Sequence, residues 1–172
     1  MVALKVPAEF TDFGITLEGE SYIGKCNYIE LPKFKKKTEE KRYAGSQVPA
    51  KKFRGYEAME TKISFPVFVK DAFKLFAIDG RVAQITARGA YKPEGGTAQS
   101  CVITIAGKFS EIDPGKWQSG EDNEFILTVD TRLLQIVYGG EQVINIDADN
   151  DIYTFGGVVD SNLDVKKAIG RI

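Results

Sequence analysis

The residues most telling about chemistry here are absent ones: the 172-residue chain contains no histidine, which leaves no imidazole for catalysis or metal binding. Ser-His-Asp and Cys-His catalysis both need an imidazole to move the nucleophile's proton, so neither can be built. His-ligated metal centres are excluded for the same reason. Cys26 and Cys101 are the only cysteines. No C-x-x-C spacing accompanies them and their neighbours are strand-forming. They read as small reduced core residues of a protein made in the cytoplasm, not as metal ligands. Glu121, Asp122 and Glu124 lie close together in a polar stretch, which reads as a solvated turn rather than an acid–base pair. Gly95-Gly96 follows Pro93 between two strand-like runs and suits a hairpin loop, and no Walker-type or dinucleotide glycine loop is present. The expectation is therefore no enzyme, with no catalytic residue, no metal and no cofactor.

Charge is more informative than catalysis. The chain carries a net −1, so no bulk attraction to nucleic acid or anionic membrane is expected. The charges are nevertheless segregated. Lys33 to Arg54 holds nine cations against Glu39 and Glu40, a net +7, whereas Glu111 to the C-terminus holds twelve carboxylates against five cations, a net −7. Unlike poles on one neutral molecule suit head-to-tail association between copies, although two solvated loops would give the same count.

The elements that would position these charges are mostly strands. Ile15-Thr16-Leu17-Glu18 alternates, Gly19-Glu20 makes a turn, and Ser21 to Gly24 resumes the strand. Lys33–Gly55 has scattered apolar residues and no sustained period, so it reads as a long basic loop or protruding arm. Tyr56 to Phe65 returns to strand with Met59, Thr61, Ile63 and Phe65 on one face, and Pro66 marks an edge or an end. Asp71 can cap a helix whose apolar face is Ala72, Phe73, Leu75, Phe76 and Ile78, with Gly80 as its left-handed stop. Strands follow at Arg81–Tyr91 and Ser100–Ser110. Asp113-Pro114-Gly115 is a rigid turn. Phe125–Tyr138 is apolar on both parities, which predicts a strand covered on both faces. Tyr138-Gly139-Gly140-Glu141 predicts a primed two-residue hairpin leading to Val143, Ile144 and Ile146. Ser161-x-x-Asp164 could be a capping box opening a short helix through Ala168, ended by Gly170. The fold class is mainly β: one domain over residues 1–172, with one flanking helix and a short C-terminal one. No apolar run is long enough for a signal peptide or a bilayer span.

Four stretches, in order, resemble one family: GITLEGESYIG, LPKFKKKTEEKRYAG, GYEAMETKIS and the run from Gly107 to Asn150. The ending KKAIGRI is also similar. The family is the major tail tube protein of contractile-tailed bacteriophages and of R-type tailocins. The resemblance implies an antiparallel β-sandwich or barrel-like domain that self-assembles. Six copies would form a ring, their strands would join into an inner barrel, and rings would stack into a tube inside a contractile sheath. Baseplate or initiator proteins and terminator proteins would be further partners, with genomic DNA passing through the lumen in a phage. Assembly would occur in the bacterial host cytoplasm. The arm would contact neighbouring subunits. With the charge poles, this makes Lys33, Lys35, Lys36, Lys37, Arg42, Tyr43, Lys51, Lys52, Arg54, Asp113, Trp117, Glu121 and Asp122 the candidate interface residues. Ala44-Gly45-Ser46-Gln47 departs from the Gly-Gly-Met-like segment often found after the arm's Tyr/Arg pair. A type VI secretion tube protein would share the architecture. A nucleic-acid-binding β module using the basic arm, with Phe34, Tyr43 and Phe53 to stack, is a different class of reading, as is a small β-barrel ligand carrier.

Overall fold

The computed structural model describes residues 8–22, 25–45, 47–78, 80–121, 123–159 and 163–170. Along the chain run β1 (Ala8–Leu17), β2 (Glu20–Ser21), β3 (Tyr28–Glu30), β4 (Lys36–Lys41), β5 (Ala50–Tyr56), β6 (Met59–Phe65), α1 (Lys70–Ala77), β7 (Ala83–Pro93), β8 (Gln99–Asp113), β9 (Phe125–Tyr138), β10 (Glu141–Asp147), β11 (Ile152–Phe155), β12 (Val158–Val159) and α2 (Leu163–Ala168). The fold is mainly β. All the strand pairings are antiparallel.

Ten strands form one sheet in the order β12-β11-β10-β9-β8-β7-β1-β2, with β6 also on β9 and β3 on β6. The branch lies on β9. Its first half, Phe125–Thr131, pairs with β6, and its second half, Leu133–Tyr138, pairs with β10. Residues from β1, β6, β7, β8, β9, β10 and α1 all meet in one core, with Ile15, Ile63, Phe65, Ile85, Ile105, Phe125, Leu127, Leu134 and Ile146 almost wholly buried. Strands as far apart in the order as β1 and β10 share that core, so the sheet curls over it.

β9 is covered on both faces, since Arg132 is its only exposed residue and Thr128 is buried opposite Leu127 and Val129, and in addition its core-facing side changes along the strand. Arg132 is an extra residue opposite the Ala106–Gly107 step of β8, so Phe125, Leu127, Val129 and Thr131 point to the core before it and Leu134 after it. Ser110 does the same in β8: Phe109 faces the core before the bulge and Ile112 after it. At Gly107, a side chain would meet the Asp130 carbonyl oxygen at 2.2 Å, so only glycine lets the two strands approach.

Other expectations shift by a few residues. The first turn is Glu18-Gly19, with both residues at positive φ, not Gly19-Glu20. β1 starts at Ala8, earlier than its alternation suggests, because a bulge between Phe10 and Asp12 breaks the period. Tyr56 to Phe65 is two strands parted at Glu57-Ala58. Asp71 is not the cap of α1; Val69 holds that position without a side-chain bond, and Asp71 pairs with Lys74 at 2.9 Å. Gly80 does adopt positive φ. The hairpin glycines Gly139 and Gly140 have φ of 57° and 87°, as a primed turn requires. Of the expected capping box, Ser161 and the Asp164 side chain lie outside the described residues.

Candidate assembly surfaces

The basic segment is not a structureless loop. β4 and β5 pair as a separate two-stranded hairpin, with Thr38 opposite Phe53, Glu39 opposite Lys52 and Glu40 opposite Lys51. Every residue of β4 and the first five of β5 are exposed. A strand pair with no buried face has no reason to alternate apolar and polar residues, which is why its period is invisible. Its base is tied to the body by aromatic rings: Tyr56 stacks on Tyr153 at 4.8 Å, and Phe34 meets Phe155 edge-on at 5.6 Å. The Arg54 guanidinium pairs with Glu39 at 2.6 Å, and Lys35 lies 3.9 Å from Glu57. Lys36 lies over the Phe53 ring, Lys41 lies over Tyr43, and Arg42 donates to the Gln47 carbonyl. Lys33, Lys37, Lys51 and Lys52 are exposed and, among the described residues, have no ion pair.

The acidic candidates lie on the connection between β8 and β9. The Asp113 carboxylate accepts from the Gly115 N–H at 2.9 Å, and Asn123 donates to the Pro114 carbonyl at 3.1 Å, so the loop is pinned at both ends. A side chain at Gly115 would overlap the Glu124 carbonyl, and Gly115 sits at φ 73°. Trp117 stands out from this loop, 77% exposed, and Glu121 is exposed beside it. Asp122 lies outside the described residues. Next to Trp117 is an apolar ledge that includes part of the apolar face expected of α1. Ala72 and Leu75 of α1 are buried, but Phe73, Phe76 and Ile78 are 39%, 47% and 50% exposed, and Phe68 just before the helix is 51% exposed. Phe68 stacks on Phe73 at 5.3 Å and meets Trp117 edge-on at 6.3 Å, over buried Phe125. The available signal was an excess: a helix of eight residues cannot bury apolar side chains on more than one stripe.

Two sheet edges complete the surface. β2 covers β1 only at Thr16 and Leu17, so the outer side of Ala8–Gly14 pairs with no strand among the described residues. At the other end β12 has two residues, and β11 covers only Ile144–Asp147 of β10. Between these edges, one row crosses six strands on the face opposite the core. Thr16, Thr86, Thr104, Gln135, Asn145 and Thr154 stand in register, and Gln135 donates to Asn145 at 3.1 Å. All six are uncharged hydrogen-bonding side chains.

The structure places Lys36, Lys37, Arg42, Tyr43, Lys51, Lys52 and Arg54 on the β4–β5 hairpin, Lys33 and Lys35 just before it, and Asp113, Trp117 and Glu121 at the end of β8 and on the loop after it. Among the described residues, no ion pair joins the two groups within a chain. Burial pushes the Cys26 thiol up to about 11 and raises Cys101 as well, so both are poor nucleophiles at neutral pH. No cluster of three metal-ligating side chains occurs among the described residues.

The architecture defines a class. A chain of an extracellular contractile injection system, PVC, in the structure of its sheath/tube terminator in the extended state, superposes with a TM-score of 0.61 over 78% of this chain and 99% of that one, at 14% identity. The match is one of fold. The particular family follows from sequence: the model for phage tail tube protein FII matches residues 7–170, and the chain belongs to that family. The tail tube protein of Escherichia phage P2 is 28% identical over 162 residues, covering 90% of this chain and 93% of that protein. The major tail tube protein of Serratia phage KSP20 is 23% identical over 157 residues, covering 90% and 91%. The chain is thus a tail tube protein, a structural component of a phage-type tail.

Proposed function

We propose that this protein is the non-enzymatic subunit of the inner tube of a contractile injection particle. Six copies close a ring, rings stack into a hollow tube, and the tube conducts DNA or perforates the target envelope. The observation that carries this reading is the pair of poorly covered edges on one sheet. Soluble monomers normally cover, shorten or charge such edges, since unpaired N–H and C=O groups recruit another strand. Here the free side of β1 in one copy is suited to meet the β10 side of the next, and closure around a ring would satisfy both. The uncharged row from Thr16 to Thr154 would then run around one wall of the barrel, a surface that neither attracts nor repels a polyanion strongly. A contractile sheath, baseplate or initiator proteins and terminators are the partners that this arrangement calls for. No helix among the described residues is long and apolar enough to cross a membrane.

Velocity sedimentation across a concentration series tests the reading. Species of six-chain mass and longer polymers are expected to grow with concentration. A monomer at every concentration, with an initiator complex unable to recruit it, contradicts the proposal.

A further inference from the structure

We infer that the ledge formed by Phe68, Phe73 and Trp117 is the seat for the β4–β5 hairpin of a second copy; this rests on the tube reading. Three observations carry it. The ledge is apolar and exposed, with Trp117 at 77% and Phe68 at 51%. A contiguous apolar patch of aromatic residues rimmed by charge marks a contact surface rather than ordinary solvent exposure. The ledge is also held ready, because Asp113 and Asn123 pin the loop that presents Trp117. A preformed loop loses little freedom on binding.

Charge then selects the occupant. The segment Glu111–Glu124 carries five carboxylates against one lysine, and the hairpin segment carries +7. On α1, Asp71 already neutralises Lys74, which leaves Lys70 and Lys116 as the opposing cations. Lys33 and Lys37 make no ion pair among the described residues, and Lys51 and Lys52, though opposite Glu40 and Glu39, make none either. The hairpin also offers exposed Tyr43 and Phe53 to meet the ledge rings. Within one chain its anchors are Tyr153 and Phe155, so the ledge of its own chain is not where it sits. A contact between unlike patches is heterologous, the kind that generates rings and filaments.

Trp117 is the only tryptophan, so its emission reports on the ledge alone. Assembled protein is expected to show a blue-shifted emission and strong protection from iodide, both absent in the monomer. In a mixture of Lys52→Cys chains with Gln118→Cys chains, mild oxidation is expected to cross-link different copies. The Lys33→Glu/Lys37→Glu variant, which places no like charges opposite one another in the hairpin, should raise the concentration needed for assembly by roughly tenfold, with monomer unfolding unchanged. Tubes that form with Trp117 still open to iodide, and with no cross-link, overturn the seat but leave the tube reading standing. Trp117 would then face an outer partner such as a sheath. Failure to assemble under any condition overturns both.

Discussion

Gly107 is the residue on which the packing of the two longest strands turns. A methyl group placed there would lie 2.2 Å from the Asp130 carbonyl oxygen and 2.9 Å from Val129. Both neighbours belong to a paired strand, so neither can move cheaply. Gly107→Ala is expected to destabilise the monomer by about 1–3 kcal/mol, the range for overpacking, read by chemical denaturation. Gly139→Val with Gly140→Val places β-branched residues at positive φ, at a cost of about 1–2 kcal/mol each, and is expected to lower monomer stability and spoil ring closure together. Asp147 supplies a pH-dependent contribution. Partial burial would raise its pKa, but bonds from the Asn150 side chain and from the Asn150 and Asp149 N–H groups prevail, and it lies below 3.8. A lowered folded value means stabilisation that is present above the unfolded value and lost as pH falls through the folded one. Asp147→Asn should therefore cost stability at pH 7, and the gap from wild type should narrow as pH falls below 3.8 and close only once pH has passed the lowered folded value. A gap that persists there would mean the turn is held by shape alone.

At the scale of elements, the β4–β5 hairpin is the least supported part of the molecule. An isolated two-stranded hairpin is marginal in water, and this one is attached mainly through rings at its base. Its amides should exchange with solvent much faster than those of β8 and β9 in the monomer and become protected on assembly. Equal protection in both states would mean that the hairpin is ordered before any partner arrives. Lys35→Glu, Lys36→Glu and Lys37→Glu together should impair polymerisation while leaving the monomer's unfolding midpoint within a few degrees, because exposed pairs contribute little to stability. Unchanged tube yield would remove electrostatics from the assembly step, as would indifference to salt, since exposed charges are screened within ~10 Å at about 0.1 M. These elements also show what was legible in advance. β6, β7, β8 and the Gly139-Gly140 turn could be read because period two and turn chemistry act locally. β4 and β5 could not be read as strands, because neither has a buried face to impose a period. The face change of β9 at Arg132 was hidden for a related reason: a bulge belongs to a pair of strands, and one strand's sequence does not show its partner's register. Phe73 and Phe76 belong to the apolar face expected of α1 yet stay exposed, because hydrophobicity alone does not distinguish a buried ring from an exposed one.

For the whole molecule, the features that rule out histidine-based catalysis stand beside features that suit the proposed association of copies. It has no histidine, two shielded thiols, segregated charge, an open β1 edge and an aromatic ledge. The family relationship sets the class, and the surfaces indicate how copies would meet. Among the described residues no ion pair joins basic hairpin and acidic loop within a chain, which in the proposed tube would leave neutralisation to a neighbour. The measurement that tests this most directly is electron microscopy of the purified, concentrated protein. The expected result is hollow tubes with six-fold cross-sections, in which β1 of each copy lies beside β10 of the next. Particles no larger than single chains, or closed assemblies in which the β1 edge stays open to solvent, would contradict it.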